Sequence, residues 1–132
     1  MKRTIIESPF AGDVEGNVTY ARQCVRDSVL RGEAPIASHL LFTQPGILRD
    51  DVPGERKLGI EAGLAWRAVA DYSVFYTDRG WSNGMLDALH RCINSGSPFK
   101  VRALDDEPQI PATLCEDMED LIRRSCEPRK AA

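Results

Sequence analysis

The chain holds little of what metal-binding, membrane-spanning or duplex-binding proteins rely on. Its 132 residues include two histidines and four cysteines. Cys24, Cys92, Cys115 and Cys126 form no C-x-x-C pair and have no histidine at metal-ligand spacing. A structural zinc or a haem therefore has almost nothing to bind, and reduced, partly buried thiols are expected. Basic residues are in deficit, 17 Lys and Arg against 20 Asp and Glu for a net charge of -3. Without a basic field, a nucleic-acid polymer is not an expected partner. Apolar runs such as Leu40-Leu41-Phe42 fall far short of the roughly 20 residues a membrane helix needs. The start, Met1 to Glu7, has no signal-peptide apolar region, so a cytoplasmic protein is expected. No G-x-x-x-x-G-K phosphate loop, internal repeat or low-complexity block occurs.

What is present is the mixture of one soluble domain, 42% apolar and 28% charged. A single domain over residues 1–126 is expected, with 127–132 as a flexible tail. Short β-rich runs alternate with stretches of helical period. Thr4-Ile5-Ile6-Glu7 reads as a strand closed by Ser8-Pro9-Phe10-Ala11-Gly12-Asp13. A helix follows from about Glu15 to Leu30, with Val18, Ala21, Val25 and Val29 along one stripe. Pro35-Ile36-Ala37-Ser38 is a second, short strand, and Thr43 to Gly54 a long loop. Glu55 to Val69 is helical, with Leu58, Ala62, Ala65 and Val69 on one stripe and Gly59 and Gly63 on a row that permits close backbone approach. Tyr72 to Thr77, rich in β-branched and aromatic residues, is the clearest strand and should be central. Ser82 is placed to cap a helix that turns Met85, Leu86, Leu89, Cys92 and Ile93 inward and ends before Gly96. Phe99 to Arg102 is a fourth strand, and Pro111 fits the first position of a last helix.

This alternation predicts an α/β three-layer sandwich on a mainly parallel sheet of four or five strands. In such sheets ligands bind beyond the carboxyl ends of the strands where the winding reverses, which for strand order 2-1-3-4 lies between the first and third strands. Ser8, Pro9, Phe10 and Asp13 should then face the loop Asp78 to Ser82. The Ser82 hydroxyl and the free N–H groups of residues 83 to 85 form an anion site, and Gly84 keeps it open beside Met85. The same serine also reads as an ordinary helix cap. Carboxylates near this place are Glu7, Asp13, Glu61, Asp78 and Asp87, and paired carboxylates are the groups that break glycosidic and N-glycosidic bonds. Asp78 equally suits turn formation, Asp87 helix stabilisation and Glu61 a solvated face. His39, just past the second strand, is a ligand contact, an acid or a structural histidine.

The order of Ser8-Pro9-Phe10, Pro35 to Leu40, Glu55 to Trp66 and Asp71 to Met85 resembles the nucleoside 2-deoxyribosyltransferase-like superfamily, particularly its small phage and bacterial branch. The resemblance covers about residues 4 to 104. It implies a flavodoxin-like parallel sheet, a homodimer or larger homo-oligomer, a small nucleoside or nucleotide as partner, no cofactor, and action on the N-glycosidic bond. It also implies a glutamate nucleophile in a pattern like S-x-G-x-x-x-E. Ser82 and Gly84 match, but the glutamate position is Ala88. Either Asp87, Glu61 or Asp78 supplies the carboxylate, or the chain binds a nucleotide-like ligand without that chemistry.

Overall fold

A computed structural model describes residues 1–112 and 114–128. Strands β1 (Arg3–Glu7), β2 (Ala34–Ile36), β3 (Tyr72–Tyr76) and β4 (Phe99–Arg102) alternate with helices α1 (Val14–Leu30), α2 (Ser38–Leu41), α3 (Pro53–Arg67), α4 (Asn83–Ser95) and α5 (Glu116–Ser125). All pairings are parallel and the sheet order is β2-β1-β3-β4. The α/β sandwich is therefore as expected, with the reversal of winding between β1 and β3. Two apolar clusters fill it. Ile6, Val74 and Tyr76 meet Tyr20 and Cys24 of α1, whereas Phe75 and Val101 meet Met85, Ala88, Leu89 and Cys92 of α4 and Ile122 of α5.

Helix α4 shows why the sequence was readable there. Ser82 caps it by accepting from the Met85 N–H at 3.2 Å, and Gly96 closes it in the left-handed region at φ 68°. Helix α1 departs from its expected stripe. Asn17, Tyr20, Ala21, Cys24 and Ser28 are buried while Val29 is exposed. The inner face accepts polar residues because each has a partner: the Ser28 hydroxyl reaches Thr4 and Glu33, and Asn17 holds the loop after β1.

The second strand is three residues rather than four, and Ser38 starts a helical turn instead of ending β2. Helix α3 begins at Pro53, two residues before the expected start, and ends at Arg67. None of its residues is buried, and Leu58 and Val69 of the anticipated stripe are more than half exposed. The inward row is instead the glycine row. A side chain at Gly63 would lie 2.7 Å from the Ser38 hydroxyl, and one at Gly59 would touch Leu48 at 3.5 Å.

The last helix starts at Glu116 with Cys115 as its cap residue, not at Pro111. Three acidic residues in its first turn suit that start, and Pro111 lies in the preceding irregular segment. Glu127, expected in the flexible tail, is tied down. Its N–H donates to Val101 O at 2.8 Å and its carboxylate accepts from Arg31, Lys100 and Arg102. The remainder of that expected tail, 129–132, lies outside the described residues. Cys24 and Cys92 are buried, Cys126 is half-buried and Cys115 is exposed; all four are free thiols. Among the described residues, no helix is long and apolar enough to cross a membrane.

Candidate functional site

Proline and glycine end β1 and send the chain over the carboxyl edge of the sheet. Ser8 and Pro9 are buried and Phe10 half-buried. Asn17 fixes this loop by donating to the carbonyls of Phe10 (3.0 Å) and Ala11 (3.1 Å). Asp13 caps α1 by accepting from the Gly16 N–H at 3.2 Å, and any side chain at Gly16 would collide with that carboxylate. From the loop after β3, Arg79 reaches across to Asn17 Oδ1 (2.7 Å, from Nε) and Asp13 Oδ2 (3.1 Å). The two loops thus face each other at the reversal of winding. Between Asp13, Gly16, Tyr20 and Arg79 lies an open depression of about 450 Å³.

The start of α4 follows the loop that carries Arg79. Ser82 is half-buried with its hydroxyl engaged as the cap. A side chain added at Gly84 would meet only the Ser82 hydroxyl, at 4.0 Å, so approach there is unobstructed. Met85 is not part of an accessible surface, being 1% exposed within the core. Residues 104–109 arch over the end of β3. Their Leu104, Asp105 and Asp106 N–H groups donate to Asp78 at 2.8, 3.0 and 3.2 Å, Gln109 N donates to Thr77 Oγ1 at 2.8 Å, and Trp81 Nε1 donates to Gln109 O at 2.8 Å.

The carboxylates separate clearly. Asp78 also accepts from the Tyr20 hydroxyl at 2.6 Å. Burial alone would raise its pKa, but these donors hold it below the ordinary carboxylate value. Both of its oxygens are occupied in positioning loops. Asp87 is exposed on α4, while neighbouring Ala88 is 5% exposed against Phe75 and its cluster. Glu61 is exposed on α3 and lines a separate open depression with Asp50, Arg56 and Ile60. The structure therefore does not bring Asp87, Glu61 and Asp78 together. His39 does enter the neighbourhood of the first loop, with its Nε2 2.7 Å from Ser8 Oγ. Burial lowers the pKa of His39 to about 4, so at neutral pH the ring is uncharged.

Glu7 is among the carboxylates expected near the pocket, but its partner was not foreseen from sequence. Glu7, at the end of β1, accepts from Arg67 Nη2 of α3. Burial pushes the Glu7 carboxyl up, and Arg67 offsets this only in part. Arg67 Nε and Nη1 are buried with no hydrogen-bond partner. Sixty residues separate the two, and no local pattern marks such a contact. Among the described residues, no group of three His, Cys, Asp or Glu side chains is arranged to hold a metal ion.

Residues 2–102 match the family described as a domain of unknown function, DUF7768. The chain belongs to that family. No curated protein matches the DUF7768 sequence. Among solved structures, the domain is similar to a 2-deoxyribosyltransferase from the psychrotolerant bacterium Bacillus psychrosaccharolyticus, described as a biocatalyst for the synthesis of antiviral and antitumoral nucleosides. Identity is 16%, the TM-score 0.59, and the match covers 98% of this chain and 86% of that one. At that identity the likeness establishes a shared fold.

Proposed function

We propose that the DUF7768 domain binds a small deoxynucleoside or deoxynucleotide at the carboxyl edge of β1 and β3 and acts on its N-glycosidic bond, as a hydrolase or 2-deoxyribosyltransferase. The observation that carries this reading is the meeting of loops 8–13 and 78–82 through Arg79, Asp13 and Asn17, at the reversal of winding and beside an unobstructed helix start. The fold shared with a 2-deoxyribosyltransferase supports the same substrate class. Ser82 and the first N–H groups of α4 receive the phosphate of a nucleotide, with Gly84 leaving room for it. Ser8, Pro9, Phe10 and His39 bound the opposite side, and neutral His39 offers a hydrogen bond without a charge.

A second reading, a nucleotide-binding or sequestering module without chemistry, is favoured by one observation. Ala88 packs in the core, Asp87 and Glu61 point to solvent, and Asp78 is saturated with donors. Incubation with a panel of deoxynucleosides and their monophosphates, analysed for free base by chromatography, separates the two. Base release supports the enzyme. Micromolar binding with no release supports the module, and neither binding nor release rejects both.

We further propose that the domain works as a homodimer or larger homo-oligomer. Leu58, Ile60, Trp66 and Val69 on and just after α3 are about half exposed in the monomer, an apolar surface suited to a second copy.

A further inference from the structure

We propose that Glu7 is the catalytic nucleophile of this site and that Arg67 is its positioning residue, an inference that rests on the N-glycosidic reading above. In register, Glu7 pairs with Phe75, and Phe75 belongs to the apolar cluster that includes Ala88 of α4. Side chains of paired residues in a parallel sheet project to the same face. The Glu7 carboxylate therefore stands on the face covered by α4, at the carboxyl end of the strand beside β3. It is the carboxylate there that combines partial shelter with a free oxygen. Its side chain is 16% exposed and that of Arg67 is 17%. Arg67 holds Oε1, and no described residue donates to Oε2. Asp13 is spent on the α1 cap and Arg79.

The unpartnered Nε and Nη1 of Arg67 are an independent sign of a site. Buried donors with no acceptor are costly, a cost explained if the guanidinium is kept there to hold the Glu7 carboxylate. Arg67 favours the ionised form of the neighbouring carboxylate and offsets part of the upward push of burial.

In the reaction, Oε2 of Glu7 forms a bond to the anomeric carbon. The bond from that carbon to the base nitrogen breaks, its electron pair leaves with the base, and the base takes a proton from water. Water then adds to the anomeric carbon of the glycosyl ester, the ester bond breaks, the spare proton of that water neutralises the hydroxide left by the first step, and Glu7 regains its carboxylate as the sugar leaves with the new hydroxyl. A second base in place of water completes a transfer.

Wild type and Glu7→Gln are compared for deoxynucleoside monophosphate binding and for base release, with thermal melts to verify folding. We expect Glu7→Gln to bind within about twofold of wild type and release base about 100-fold or more slowly. Acid-quenched wild type should carry one deoxyribosyl phosphate group on the peptide containing Glu7, a test that needs no folded variant. Azide should restore turnover to Glu7→Ala and give the glycosyl azide. Arg67→Gln should lower kcat with little change in KM, and Arg67→Lys should recover part of the loss. Undiminished base release by Glu7→Gln, or an adduct on another peptide, overturns the assignment and leaves the N-glycosidic reading standing. Binding without base release by wild type overturns it in favour of the module, and absence of binding removes the reading itself.

Discussion

Replacing Glu33 with glutamine should destabilise the fold by about 3 kcal/mol at neutral pH, because it breaks a buried ion cluster at its centre. The Arg102 side chain is 2% exposed and that of Glu33 is 8%. The guanidinium donates to both Glu33 oxygens at 2.7 Å, to Glu127 at 2.6 and 3.0 Å, and to the Tyr76 hydroxyl at 3.1 Å. Removing one partner of a buried pair typically costs about 3–5 kcal/mol. The lower end applies here because Glu127 remains and glutamine keeps one acceptor. Titration leads to a similar size. Burial would raise the Glu33 pKa, but hydrogen bonds from Arg102, Tyr72 and Ser28 lower it from 4.5 to about 2, equivalent to about 3 kcal/mol favouring the ionised folded form. Since the folded-state pKa is the lower one, this stability is present above about pH 4.5 and is lost as pH falls towards 2. Urea unfolding followed by far-ultraviolet circular dichroism at neutral pH and near pH 3 measures it. Wild type should lose stability across that interval more steeply than Glu33→Gln, and Arg102→Met should show strong coupling to Glu33→Gln in a double-mutant cycle. A loss below about 1 kcal/mol at neutral pH, or equal acid dependence in both proteins, would refute the reasoning.

Ser82→Ala should cost about 1 kcal/mol of stability through loss of the α4 cap and weaken a deoxynucleoside monophosphate more than its nucleoside; calorimetric titration showing equal loss for both removes the phosphate assignment. Gly63→Ala should destabilise by about 1–3 kcal/mol, since the new Cβ lies 2.7 Å from the Ser38 hydroxyl and 3.1 Å from Ser38 Cβ; a thermal melt matching wild type would show that α2 moves aside freely. Light scattering should give at least a dimer, and Trp66→Glu should shift it to monomer; a monomeric wild type at high micromolar concentration would exclude sites shared between copies.

What the sequence made legible was local. Helix α4 carries its own cap, its own left-handed stop and an apolar spacing that matches its buried face, so three signals between Ser82 and Gly96 agree. Strand β3 was equally plain, because its β-branched and aromatic composition suits the centre of a sheet and it is flanked on both sides. Helix α5 was misplaced at its start because Pro111 is a good first residue for a helix, yet the chain before Glu116 is committed elsewhere. Asp78, Thr77 and Trp81 bind segment 104–109 across the sheet edge, and those partners lie 26 to 32 residues away.

Helix α3 misled for a related physical reason. Its apolar stripe is real, but the row that approaches the rest of the chain is chosen by how near another backbone must come, and only the glycine row admits Ser38 and Leu48. The larger side chains are then turned outward. The same docking places Arg67, on the inward side of the last turn, against Glu7 at the end of β1. Glu7, one of the carboxylates that the sequence places near the pocket, thereby acquires a counter-charge and a sheltered setting. Asp87 and Glu61, which sequence spacing favoured, lack both because the faces that carry them point to solvent. Whether a helix docks through its small residues or its large ones thus determines which carboxylate gains a buried counter-charge.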